Sequence, residues 1–154
     1  MGLEPTTSEA TTRCCHQLSV ITRRDSGLAA LPRVTRRDLA GEPLILSRQV
    51  IRRGAAPNAF LDWFGDDFER LNVAATFNLV YNAALMARCG LGHVVSIDGL
   101  AEISEQSGLC FRLLEPRLEC GLDIVWKKSR LFSPAAEVFF KKIRERFGGE
   151  RLAK

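Results

Sequence analysis

Short apolar runs and helical stripes take turns along this chain, and the alternation leaves few architectures open. The runs LSVIT from Leu18, LILS from Leu44, VAATF from Val73 and HVVSI from His93 are brief and rich in β-branched residues, so they read as strands. Two further β-rich segments, LCFRLLE and LDIVWKK, follow them. Helical signals fall between. Thr35 heads TRRDLAG as an N-cap, with Asp38 three residues on and Gly41 as the stop, which predicts a helix of one or two turns. After the loop RQVIRRGAA, Pro57 is a natural first-turn residue. From Asn58 to Leu71, Phe60, Leu61, Phe64, Phe68 and Leu71 make one stripe, while Asp62, Asp66, Asp67, Glu69 and Arg70 mark the wet side. Gly65 weakens this helix without ending it. Asn78 caps LVYNAALMARC, which is apolar on nearly every face, is therefore expected to be buried, and closes at Gly90. Ser133 and Pro134 open a last helix with Val138, Phe139, Ile143 and Phe147 on its apolar side. Strand and helix in regular alternation with short connections specify an α/β domain with a mostly parallel sheet. The continuous runs LIL and VAA fit strands covered on both faces.

A chain of 154 residues with 46% hydrophobic and 26% charged residues suits one ordinary globular domain and excludes disorder throughout. The first 16 residues, rich in Thr, Ser and Glu, show no periodic pattern and read as a poorly ordered lead-in. There is no internal repeat. Of the 22 basic and 18 acidic residues, the basic excess sits at both ends of the chain. The pairs Arg23 and Arg24, Arg36 and Arg37, and Arg52 and Arg53 lack interleaved aromatics and a reading helix, so they read as solvated faces rather than a nucleic-acid surface. The opening residues have no apolar core of a secretory signal, and no run reaches the roughly 18 apolar residues of a membrane span. The expectation is a cytoplasmic protein. Five cysteines without CxxC spacing argue against a disulfide framework and a closed zinc site.

In an open parallel sheet, ligands bind beyond the carboxyl ends of the strands, where loops and helix N-termini supply N–H groups. LIL runs into Ser47, Arg48 and Gln49, and VAA runs into Thr76, Phe77 and Asn78. Both clusters should face one edge. There Ser47 and Thr76 would hydrogen-bond a small ligand, Arg48 would pair with a carboxylate, and Asn78 would present its amide. Each of these residues, taken singly, is explained as well by a cap or turn role.

The order of VITRRDSGLA, VTRRDLAGEPLILSRQ, VAATFNLVYNAALMARCGLGHVVSID and LDIVWKKSRLFSPAAEVFFKKI resembles the C-terminal effector-binding domain of LysR-type transcriptional regulators. The likeness runs from about Leu18 to Phe147. Its most specific parts are the junction ARCGLGHVVSI and the closing WKK with FSPAAEVFF. The resemblance implies a Rossmann-like lobe of the type 2 periplasmic-binding-protein fold. Residues 18–115 would be effector-binding lobe two, residues 116–148 a returning strand and helix that normally dock on lobe one, residues 1–17 the lead-in and residues 149–154 a tail. It further implies a small effector, held in an interlobe cleft and touched by Ser47, Thr76, Arg48, Gln49, Phe77 and Asn78, with an anionic effector suiting Arg48. DNA contact would belong to a helix-turn-helix domain that this chain lacks, which makes the chain a truncated product or fragment. Neither a cofactor nor a metal is implied.

Other classes fit less well. Cys89 and His93 come closest to a nucleophile and base, but a packed thiol and a turn histidine explain them. The Gly90 to Gly92 turn follows a helix and precedes a strand, the reverse of a dinucleotide fingerprint. Asp66 and Asp67 lie on a wet helix face. A solute-binding protein of the same fold is the alternative binder. An interaction module is the third reading, because the apolar side of the last helix would lack its lobe-one partner and pair with another copy in a homodimer or higher oligomer.

Overall fold

The computed structural model describes residues 8–51, 59–127 and 131–147. Its elements in chain order are β1 (Ser8–Arg23), β2 (Val34–Thr35), β3 (Leu44–Ser47), α1 (Arg48–Ile51), α2 (Ala59–Phe64), β4 (Val73–Phe77), α3 (Val80–Arg88), β5 (His93–Ile97), β6 (Leu109–Glu115), β7 (Glu119–Lys127) and α4 (Pro134–Phe147). They form two compact units, His16–Cys120 and a second made of Met1–Cys15 with Gly121–Lys154.

The strands of one sheet follow the order β2-β6-β1-β5-β3-β4, with β7 pairing β1 off that path. The α/β expectation holds, and β3 is parallel to both β4 and β5. β1, however, runs antiparallel to β5 and to β6. Alternation along the sequence orients only strands joined through a helix, and β1 meets both neighbours through longer connections. The lead-in also needs correction, since β1 starts at Ser8, ten residues before Leu18. Its polar residues carry no alternating signal because the pairing partner, β7, lies at the far end of the chain.

In the His16–Cys120 unit, side-chain alternation divides the interior into two layers. Leu18, Val20, Leu44, Leu46 and Val95 face the aromatic residues Phe60, Trp63 and Phe64 of α2. Ile21, Ile45 and Val94 face Ala83 and Ala87 of α3, with Phe77 in the same layer. Both sides of β3 and β5 are covered, as a continuous apolar run such as LIL requires, but VAA of β4 is not: β4 ends the strand order, with Val73 and Ala74 exposed and Ala75 half-buried. Trp63 ties α2 down further, its Nε1 donating to the Pro116 carbonyl at 2.7 Å.

Three helical expectations change. Thr35 and Asp38 do form reciprocal bonds, with the Asp38 carboxylate accepting from the Thr35 N–H at 2.8 Å and hydroxyl at 2.7 Å, and Asp38 N–H donating to Thr35 Oγ1 at 3.4 Å. No helix follows, only consecutive turns to Gly41, because Gly41 turns the chain with a φ of 83° and Pro43 follows two residues on, leaving too little length to offset nucleation. The stripe from Asn58 breaks at Gly65, whose φ of 57° cannot continue an α-helix, and a 3-10 helix Gly65–Arg70 replaces it. α3 is buried only along Ala83 and Ala87, while Leu79, Tyr81 and Leu85 are exposed, since one side alone meets the sheet. Its close at Gly90 is as expected: Gly90 N–H bonds the Ala87 carbonyl at 2.9 Å and Leu91 N–H the Met86 carbonyl at 3.1 Å. The segment RQVI forms the single turn α1 where a loop is expected. Pro57 lies outside the described residues.

In the second unit Ser133 caps α4, its Oγ accepting from Ala136 N–H at 3.3 Å. The rings of Phe132 and Phe140 meet at 4.7 Å, and Val138 and Phe139 are exposed. Among the described residues no helix is long and apolar enough to cross a membrane.

Candidate functional site at the strand ends

β3 and β4 finish side by side, with Leu46 opposite Thr76 and Ser47 opposite Phe77. β5 accompanies β3 up to the pair Leu46 and Val95, so Ser47 and Ser96 each follow the last registered position. β1 arrives from the opposite direction and sets Ser19 across from Ser96 and Leu18 across from Ile97. The carboxyl ends of three parallel strands and the incoming half of β1 therefore share one edge of the unit.

Register assigns each side chain to a face. Ser47 and Phe77 point to the α3 side, whereas Thr76 alternates to the other side with Leu46. The two hydroxyls thus leave the same edge from opposite faces. Ser47 is half-buried, and Arg48, Gln49, Thr76 and Asn78 are exposed. Phe77 is a core residue, 8% exposed, packed beneath α3. Asn78 does not cap α3. The cap position is Leu79, and no side-chain cap bond is made among the described residues, which leaves the first-turn N–H groups and the positive end of the helix dipole available at this edge. Arg48 has no ion pair among the described residues.

Sequence reasoning missed Gln17, Ser19 and Ser96. Ser19 and Ser96 are buried on the α3 side beside Ser47, and Ser19 Oγ and Gln17 Nε2 are buried without a hydrogen-bond partner among the described residues. The available signal is a single serine inside each apolar run, LSVIT and HVVSI.

A second polar cluster lies at the opposite edge, where β1 ends and β5 begins. Thr22 Oγ1 is 2.7 Å from His93 Nδ1 and 2.7 Å from Ser26 Oγ, and His93 Nε2 is 3.2 Å from Glu42 Oε2. The chain of contacts has the connectivity of a hydroxyl, imidazole and carboxylate relay, but Thr22 is fully buried. Both ring nitrogens of His93 are engaged in holding β5 to its neighbours, and Cys89 is an exposed residue after α3. A cleft of about 180 Å³ borders this cluster, lined in part by Arg23, Asp25, Pro43, Gly92 and His93. Arg23 and Asp25 pair with each other, which raises the guanidinium pKa and lowers that of the carboxyl, in both cases chiefly through the hydrogen bond between them. Among the described residues no cluster of His, Cys, Asp or Glu could hold a metal ion.

The family model described as LysR substrate binding domain matches residues 5–148. Among solved structures, the chain is similar to HinK, a LysR family transcriptional regulator from Pseudomonas aeruginosa, with a TM-score of 0.69 and 21% identity over 96% of this chain and 50% of that one. It is similar to the CcmR regulatory domain of Synechocystis PCC6803 in complex with 2-PG, with a TM-score of 0.66 and 15% identity over 97% of this chain and 71% of that one. The effector binding domain of QuiR in complex with shikimate matches with a TM-score of 0.68 and 15% identity over 97% of this chain and 69% of that one. The chain spans half the length of the HinK chain. No curated protein sequence matches it.

Proposed function

Because the chain belongs to the family of LysR substrate-binding domains, we propose that it receives a small-molecule effector at the joint ends of β3 and β4 as part of a bacterial transcriptional regulator. The observation that carries this reading is the parallel register of Leu46 with Thr76 and Ser47 with Phe77, which gathers polar groups from two strands at one edge. Ser47, Thr76, Gln49 and Asn78 supply neutral hydrogen-bonding groups, and Phe77 fixes the strand end from within the core. Arg48, exposed and without an ion pair among the described residues, and the uncapped start of α3 favour an anionic group on the effector. The relatives complexed with 2-PG and with shikimate are consistent with a small polar effector.

In this reading residues 18–115 are the effector-binding lobe, and residues 116–148 are the returning strand and helix. Binding shifts transcription only by the difference in effector affinity between the two states of the regulator. DNA contact belongs to a helix-turn-helix domain and to no residue here. The domain acts in the cytoplasm and is a sensor rather than an enzyme, a reading supported by the burial of Thr22 in the one relay-like cluster among the described residues. The exposed Val138 and Phe139 of α4 favour self-association as a homodimer or higher oligomer.

A thermal-shift screen of small acids and amino acids tests the proposal. A binder is expected to raise Tm, and Ser47→Ala and Thr76→Ala are each expected to weaken it about tenfold, the value of one lost hydrogen bond near 1.4 kcal/mol. Stabilisation that neither substitution changes contradicts the assigned edge.

A further inference from the structure

Three serines stand in a row across the α3 side of the sheet at the candidate edge, on three neighbouring strands. Ser47 is half-buried, Ser96 is 7% exposed and Ser19 is fully buried. Gln17 lies two residues before Ser19 on β1 and so shares its face. The row runs from half-buried Ser47 to fully buried Ser19, beside which half-buried Gln17 lies across from Asp98, and Ser19 Oγ and Gln17 Nε2 are buried polar atoms that lack partners among the described residues. A buried polar atom without a partner is costly, and native folds leave few of them. Two on one face, beside the edge where the effector is proposed to bind, point to a group that arrives with the ligand.

The chemistry of that group follows from the row. Gln17 Nε2 can only donate, and each serine hydroxyl can both donate and accept. The matching group therefore carries an acceptor, and it can carry a donor as well. Its charge is constrained by the rim: Arg48 follows Ser47 directly and Asp98 lies two residues past Ser96, and both are exposed. Arg48 can pair with an anionic end at the rim, but the buried row itself holds no charged residue, and a buried ion without a partner is strongly opposed. We propose that Gln17, Ser19 and Ser96 form the inner subsite of the effector site and read a neutral, acceptor-bearing group such as a carboxamide, while the carboxylate end of the same ligand stays at Arg48 and the start of α3. This inference rests on the proposed effector edge and adds to it the class of the ligand's second end.

The test uses four probes of similar length that share a carboxylate and differ at the other end: succinamate, succinate, γ-aminobutyrate and pentanoate. Amide chemical shifts of the labelled chain are followed during each titration, with Ser19→Ala and Ser96→Ala as variants and urea midpoints of the unliganded proteins alongside. Succinamate is expected to bind about tenfold more tightly than the other three and to move the amides of Ser19 and Ser96 as well as Ser47. Either substitution should remove that preference. The urea midpoint of Ser19→Ala should equal or exceed that of the parent, because the lost hydroxyl has no hydrogen-bond partner among the described residues. Four probes that bind alike and move only Ser47, Thr76 and Asn78 would overturn the inner subsite and leave the effector edge standing. No shift at these strand ends with any probe would overturn both. A lower midpoint for Ser19→Ala would show a structural bond at that hydroxyl and also overturn the subsite.

Discussion

Single side chains do separable jobs in this domain. Asp38 has no ion pair among the described residues, yet its carboxyl pKa lies below the usual range because the Thr35 hydroxyl and then the Thr35 N–H donate to it. A depressed carboxyl contributes stability that is present above its unfolded pKa, about 4, and is lost as pH falls through the folded value. Asp38→Asn is thus expected to lower the urea midpoint at neutral pH, with the difference from the parent shrinking in strong acid. This pairing was legible, since Thr and Asp at that spacing are a known signature. Ser19 and Ser96 were not legible as site residues, because one serine in a strand-like run looks the same whether it meets a ligand or a neighbour. Only the register that pairs β1 with β5 sets them beside Ser47.

Elements are held by a few close approaches. Gly92, just before β5, sits so near Pro43 that an added Cβ would overlap the Pro43 carbonyl oxygen, to which His93 N–H donates at 2.7 Å. Gly92→Ala must therefore move backbone rather than a flexible side chain, and a loss of about 1–3 kcal/mol in a denaturation curve is expected. On the other face of the parallel strands, Phe64 of α2 is 1% exposed, with ring centroids 4.9 Å from Phe60 and 4.8 Å from Trp63. Phe64→Ala should cost about 3–5 kcal/mol by the same measurement. The strands and the aromatic stripe of α2 were readable because their periodicity is local. The break at Gly65 and the exposed outer face of α3 were not, since a positive φ and the single-sided contact with the sheet are set by tertiary structure; the short turn after Thr35 was open to reading from the nearness of Gly41 and Pro43.

At the scale of the whole chain, the sheet of the His16–Cys120 unit has two polar edges with different chemistry. One gathers Ser47, Thr76, Asn78 and the serine row from strands that end together, with donors that are unsatisfied among the described residues. The other closes on itself through Thr22, Ser26, His93 and Glu42, whose hydrogen bonds are made within the fold. The α/β class and the shared edge of β3 and β4 followed from alternation of strand and helix. The direction of β1 did not, because its partners are remote in sequence. The contrast between an open edge and a closed one is what the functional account depends on. Hydrogen–deuterium exchange with a compound that raises Tm in the thermal-shift screen tests it most directly. Slowed exchange confined to residues 17–19, 47–51, 76–82 and 96–98 is the predicted result, whereas protection centred on residues 22–26 and 90–93 would contradict it.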